Sequence, residues 1–347
     1  MAVAEFTRVW WSWLAPATLQ ATWLLAAAWL ADRALRRRAW PQVLTTLWLV
    51  ALARLVLPPS ISSPWSVTSA LGAPSASIVA AARNETWMPV LAVLWITGVL
   101  ASFASRWSGR RRLGRRIVPV DARCVAADEA ARAMGLRRPL RLGTLAGLAT
   151  PAVTGLLRPT LLLPGGWLAR EPAMRARHAL LHEVAHVRRG DLWLDELCHA
   201  LRSLFWFHPL VWIAARRVHA LAELACDADV ARALGRGAPD YRDTLVLAAR
   251  DVLARGEPPL ARALVGDRSQ IAARVEHLQR SSMPARVLVR GVSAVLSLVL
   301  AACVLPMGAR TLELRAQAQR VFDDELAGRP QSCFRLQAAA MVLAADP

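Results

Sequence analysis

His182 and His186 stand four positions apart, with Glu183 beside the first, in the segment His182-Glu183-Val184-Ala185-His186. On a helix, positions i and i+4 lie on one face about a turn apart, so two imidazoles so spaced can offer nitrogens to one tetrahedral metal ion. Glu183 falls at the edge of that face, where its carboxylate can take a proton from a water at the metal. This is the chemistry of metal-assisted hydrolysis, and the expected cofactor is one catalytic zinc ion (Zn2+). A catalytic zinc needs a third protein ligand and an open position. Glu223, on a later helix, is the expected third ligand. Asp227, one turn beyond it, is expected to accept the free N–H of a ligating histidine, His182, and so fix its orientation.

A helix-borne glutamate well downstream of an HExxH pair is the gluzincin arrangement. Glu196 is the alternative third ligand, but it requires a tight turn near Gly190. Asp229 is the rival of Asp227. His178, one turn before His182, reads as a partly exposed helix residue. His208 is a candidate transition-state stabiliser, against a plain cap of the helix that follows. Asp191 reads as the cap of the next helix, and Arg188 and Arg189 as part of a membrane-facing charge balance. No Cys or His spacing supports a thiolate ligand at Cys226.

These residues require helices to hold them. The pattern predicts helices over Asp128–Met134, Glu171–Arg189 with Pro172 in the first turn, Asp191–Phe205, Pro209 to about Leu234, Tyr241–Arg255 and Gln270–Arg280. Between Leu140 and Leu163, short apolar runs bounded by Gly and Pro predict a sheet of two or three strands. The strand at Ala152–Gly155 is a candidate for pairing with an extended substrate, against a wholly structural role. Phe205-Trp206-Phe207-His208-Pro209-Leu210-Val211-Trp212 is too short to span a bilayer, and reads either as core or as an interfacial or re-entrant segment.

The composition places this domain at a membrane. Of 347 residues, 55% are hydrophobic, and the mean hydropathy is +0.33. The net charge of +18 comes from 43 basic residues, all arginine, as a GC-rich bacterial genome produces. Four apolar stretches predict spans: Val9–Leu30, Pro41–Leu57 with Arg54 free to snorkel near its end, Trp87–Phe103, and Val287–Leu305. The arginines cluster after the first and third spans and before the fourth. By the positive-inside rule both termini are expected outside and the domain between the third and fourth spans cytoplasmic. The expected organisation is three spans over 1–105 with an outer loop at 58–86, a cytoplasmic peptidase domain at 106–285, a fourth span at 286–307 and an outer tail at 308–347. The expected fold class is mainly α: a polytopic helical membrane protein with four transmembrane helices and a mostly helical gluzincin-type domain carrying a small β-sheet. The expected location is a bacterial cytoplasmic membrane. Because the basic clusters hug span ends without interleaved aromatics, nucleic acid is not an expected partner. Five cysteines without a CxxC pair predict neither a disulfide scaffold nor a zinc ribbon.

The chain resembles the BlaR/MecR-type membrane metallopeptidases. The residues that carry the resemblance are His182 to His186 followed by Arg188-Arg189-Gly190-Asp191, Phe207-His208-Pro209-Leu210-Val211-Trp212, Glu223 to Asp227, and Gly155-Leu156-Leu157-Arg158-Pro159 before a Leu-rich strand. The resemblance covers roughly residues 5 to 308. It implies regulated proteolysis: cleavage of a cytoplasmic winged-helix repressor, often after self-cleavage triggered from outside. Antibiotic-sensing members carry a penicillin-binding domain beyond the last span. Here about 40 residues follow, without a Ser-x-x-Lys motif, so β-lactam sensing by this chain alone is not expected. The alternatives are a housekeeping membrane protease of the HtpX type and a zinc-binding transducer that does not cleave.

Overall fold

The computed structural model describes residues 2–36, 39–57, 87–121, 124–254 and 268–280, together with 291, 294, 295 and 298. The expected outer loop (58–86), the tail (308–347) and, apart from those last four positions, the expected fourth span lie outside the described residues. The chain is mainly helical and divides into two units. One comprises Met1–Ala28, Leu49–Leu94 and Ala294–Pro347, the other Trp29–Trp48 and Trp95–Ser293.

Helix α1 runs over Ala2–Leu35 and α3 over Met88–Arg116. Both contain stretches long and apolar enough to cross a bilayer. Helix α2, Pro41–Ala53, has 13 residues, about 20 Å at 1.5 Å per residue, which is shorter than the hydrocarbon core. Its last turn tightens through Leu55 and Val56 amides onto Leu52 and Ala53 carbonyls, ahead of Pro58 and Pro59. Arg54 therefore does not snorkel. It is fully buried in the first unit, donates to the Leu57 carbonyl at 2.9 Å, and also reaches the Gln20 side-chain oxygen. Helix α3 continues past the expected span end at Phe103, so the arginines that follow extend the same helix.

In the second unit α3 leads straight into strand β1 (Ile117–Val120), which the sequence reading missed. Helix α4 (Val125–Ala133) and strands β2 (Arg141–Leu145), β3 (Ala152–Thr154) and β4 (Thr160–Leu163) follow. The sheet has four strands in the order β1-β2-β4-β3, with β2 and β4 parallel and both outer pairs antiparallel. Strand β3 is therefore an edge, pairing Ala152 with Leu162 and Thr154 with Thr160. A short turn of helix α5 (Trp167–Arg170) precedes α6 (Ala173–Arg189), α7 (Asp191–Leu204), α8 (Pro209–Leu234), α9 (Ala238–Ala254) and α10 (Arg268–Arg280).

The core explains why α6 sits where it does. Leu180, Leu181, Val184 and Ala185 recur with helical period and are buried against Ala130 of α4, Met134 just after it, Leu161 of β4, and Cys226 and Val230 of α8. Burying a leucine of this kind contributes about 1.5–3 kcal/mol. With that stripe fixed inward, the remaining face of α6 is turned toward α8 and must carry His182 and His186. Gly190 ends α6 with φ of +79°, a left-handed conformation that glycine adopts without a Cβ penalty. That sharp reversal starts α7 at once.

Candidate metal centre

The Nε2 atoms of His182 and His186 lie 3.2 Å apart. Glu223 Oε2 is 3.2 Å from the first and Glu223 Oε1 3.3 Å from the second. Three ligand atoms bound at about 2.0–2.1 Å with tetrahedral angles stand roughly 3.3 Å apart, so the three side chains fit one face of a metal tetrahedron. Left to themselves, two imidazole lone pairs and a carboxylate pointed at a common centre repel one another, and a cation removes that conflict. The open side is marked by Glu223, whose side chain is 34% exposed against 12% for His182.

The partners of the other ring nitrogens fix the tautomers. His182 Nδ1 lies 3.2 Å from Asp227 Oδ1 and 3.1 Å from the Tyr241 hydroxyl oxygen. Tyr241 donates its own proton to Asp227 Oδ1 at 2.6 Å, so its oxygen is free to accept from His182. Nδ1 of His182 thus carries the proton, and Nε2 keeps its lone pair for the metal. His186 Nδ1 donates to Asp191 Oδ2 at 2.9 Å, with the same result.

Asp227 is completely buried, and Arg274 of α10 meets it with two hydrogen bonds, Nε to Oδ2 at 2.6 Å and Nη2 to Oδ1 at 2.8 Å. Burial alone would favour a neutral Asp227 carboxyl, but Arg274 and His182 overcome it and hold the group well below the usual carboxylate range. Arg274 Nη1 also reaches Glu223 Oε2 at 3.1 Å. Burial disfavours charge on the His182 ring, yet its bonds to Asp227 and Glu223 raise its pKa above the ordinary value. Burial raises the carboxyl of Glu183 too, against the pull of His186 and His182. A carboxylate shifted upward is a better proton acceptor near neutral pH.

The other candidates fall elsewhere. His208 immediately precedes α8, and 15 residues of helix separate it from Glu223, about 22 Å of rise. That puts it beyond reach of the reacting atoms. Glu196 is bound instead to Arg106 and Arg110 of α3. Asp229 pairs with Arg188, Arg189 and Arg232, so Arg188 and Arg189 serve an internal ion network, contrary to the membrane-facing reading. His178 is buried, with Nδ1 2.9 Å from Thr244 Oγ1, where the sequence suggested partial exposure. Asp191 is the first residue of α7, whose N-cap position is taken by Gly190. The turn at Gly190 sends its carboxylate back onto His186 instead.

His186, Asp191 and Cys226 form a second close cluster. Burial pushes the Cys226 thiol up to about 12, and its Sγ lies 3.1 Å from Asp191 Oδ2 as a donor. It stands beside the carboxylate that orients His186.

Sequence reasoning missed Arg274, Tyr241 and the role of Asp191. Tyr241 is the single tyrosine of the chain, which is a faint signal. Arg274 is one arginine among many, with no local pattern to single it out.

Comparison with known proteins adds an independent line. The sequence model of a family described as BlaR1 peptidase M56 matches residues 12–278. The regulatory protein BlaR1 of Bacillus licheniformis is 29% identical over 89 residues, 26% of this chain and 15% of that protein. The methicillin resistance mecR1 protein of Staphylococcus aureus is 25% identical over 100 residues, 29% of this chain and 17% of that protein, and that of Staphylococcus epidermidis matches to the same extent. The matched part is thus less than a fifth of the length of these relatives.

Proposed function

Since the chain belongs to the BlaR1 peptidase M56 family, we propose that it is a membrane-embedded zinc endopeptidase acting in signalling, which cleaves a cytoplasmic protein, a winged-helix transcriptional repressor, and possesses the means to cleave itself. The observation that carries this reading is the convergence of His182 Nε2 and His186 Nε2, 3.2 Å apart, on the Glu223 carboxylate, with Oε2 3.2 Å from the first and Oε1 3.3 Å from the second. Two nitrogens and one oxygen with an open fourth position suit zinc. Zinc held there would supply Lewis acidity to the scissile carbonyl and to the attacking water.

The chain's own residues do the rest. Glu183, its carboxyl raised by burial, accepts the water's proton and returns it to the departing amine nitrogen. Asp227 and Asp191 keep the two imidazoles in the orientation and tautomer that leave Nε2 unprotonated. Strand β3 is an edge strand packed beside α6, and a substrate laid along it as a further strand would bring its peptide bonds past the metal.

Glu183→Gln tests the assignment in the full-length protein in membranes. The variant should keep about one zinc per chain and lose cleavage by roughly 100-fold or more. Cleavage is read as new protein N-termini in the cytoplasmic proteome, with a winged-helix repressor among the proteins cut. An unchanged set of N-termini in Glu183→Gln would show that the chain binds zinc without cleaving. Many unrelated proteins cut, and no repressor, would point to housekeeping proteolysis.

A further inference from the structure

Helices α7 and α8 meet at the corner Phe205-Trp206-Phe207-His208, and this corner packs on α3. Trp95 Nε1 of α3 donates to the Leu204 carbonyl at 2.8 Å. The Trp206 indole lies so close to Gly98 that a Cβ there would sit 2.3 Å from its Nε1. Further along α3, Arg106 reaches Asp195 at 3.0 Å and Glu196 at 3.3 Å, and Arg110 also meets Glu196. These contacts set a depth scale. The ion pairs mark the level where α3 leaves its apolar stretch. From there to Gly98 is about 12 Å of helix, and to Trp95 about 16 Å. Half of a bilayer's hydrocarbon core is about 15 Å.

Three observations describe what surrounds the corner at that depth. First, Arg202 is the single formally charged residue between Glu196 and Arg216, and its guanidinium stacks 4.6 Å over the Trp212 ring. Second, Phe207, Trp212 and Ile213 are exposed on the outside of the corner, with Leu197 further back on α7, and the exposed apolar run ends at Arg216. Third, four carbonyls at the corner are met from within. Leu201 O accepts from Phe205 N and Phe205 O from His208 N. Leu204 O takes the Trp95 indole, and Trp206 O takes the Trp212 indole at 3.0 Å. Water would supply such bonds on an ordinary surface. In hydrocarbon each must be made by the protein.

The geometry points to a re-entrant membrane hairpin: the α7–α8 corner is inserted into the lipid core beside α3, with Phe207, Trp212 and Ile213 against acyl chains and the Arg106–Asp195–Glu196 pairs at the headgroup level. Acyl chains are the occupant that fits, because α3, on which the corner packs, itself exposes Leu100 and Phe103 between Gly98 and Arg106. The inference rests on α3 crossing the membrane.

A photoreactive benzophenone amino acid placed singly at Leu100, Phe207, Ile213 or Leu157 in the full-length protein, in phospholipid vesicles, tests it. Leu157 lies in the β3–β4 turn and is 79% exposed. Phospholipid adducts at 207 and 213 should match those at 100 and exceed those at 157 roughly tenfold. Adducts at 100 without adducts at 207 and 213 overturn the hairpin and leave the α3 span standing. Absence of adducts at 100 overturns both. Equal adducts at 157 and 207 overturn the hairpin as well.

Discussion

Asp227 shows how much a single buried carboxylate can organise. It accepts from His182, Tyr241 and both arms of Arg274, so a residue on α6, one on α9 and one on α10 converge on one group of α8. Removing one partner of a buried ion pair leaves a charge without compensation, at a cost of about 3–5 kcal/mol. Arg274→Met should therefore destabilise the protein on that scale. It should also weaken metal binding about 10- to 100-fold, because His182 loses its anchored partner. Tyr241→Phe removes the hydrogen bond to Asp227 and the acceptor offered to His182 and should cost about 1–3 kcal/mol, with a smaller change in metal affinity. Thermal unfolding and zinc titration of the detergent-solubilised protein measure both. Equal effects of the two variants would contradict the hierarchy. At this scale the sequence singled out His182, Glu183 and His186 by their spacing on α6 and Glu223 and Asp227 by their spacing on α8, and the fold brings the two sets together. Arg274 was hidden since its partner lies far away in sequence, and spacing says nothing about contacts made only by folding.

Between elements, α7 is held to α8 by Asp195 and His219, with Nε2 2.6 Å from Oδ1, and to α3 by Asp195 and Arg106. The hydrogen bond with Asp195 raises the His219 pKa above its ordinary value, and that with His219 lowers the Asp195 pKa below its own. The raised imidazole contributes fully below its unfolded value of about 6.5 and fades as pH climbs through its folded value. The depressed carboxyl contributes fully above about 3.9 and fades as pH falls through its folded value. The pair is at full strength from about pH 4 to about pH 6.5. Asp195→Asn should then lower the melting temperature more at about pH 5.5 than at about pH 8.5, where only the link to Arg106 is lost. Both side chains are nearly half exposed, so the effect is small. A larger loss at the higher pH would refute the assignment. The helices themselves were mostly legible, α8 to the residue, because Pro209 starts it and Gly235 closes it. Strand β1 was not, because its four residues follow α3 without a break, and no turn residue announces the change.

At the scale of the whole molecule, the candidate ligands and their partners lie in the unit that includes Trp95–Ser293, and they come from α6, α7, α8, α9 and α10. A ligand that binds only the folded state adds about 2.7 kcal/mol at a hundred times its dissociation constant. Chelation should thus lower the melting temperature of the full-length protein, and zinc should restore it. Glu223→Ala should melt lower from the outset and respond little to the chelator. A full response in that variant would remove Glu223 from the metal site. The membrane character was legible in composition and in the two long apolar helices α1 and α3. The length of α2 was not, because hydropathy does not record where a helix stops.

The turn at Gly190 gives the molecule an unusual mechanical joint. Asp191, the first residue of α7, grips His186. The same helix ends about 21 Å away at Leu204, whose carbonyl is fastened to Trp95. Helix α7 is a lever with one end on a metal-binding imidazole and the other in the apolar stretch of α3. A tilt of a few degrees at the α3 end would swing the Asp191 carboxylate and retune the grip on His186. Bilayer thickness, and any force along α3, would then reach the metal site through one rigid rod.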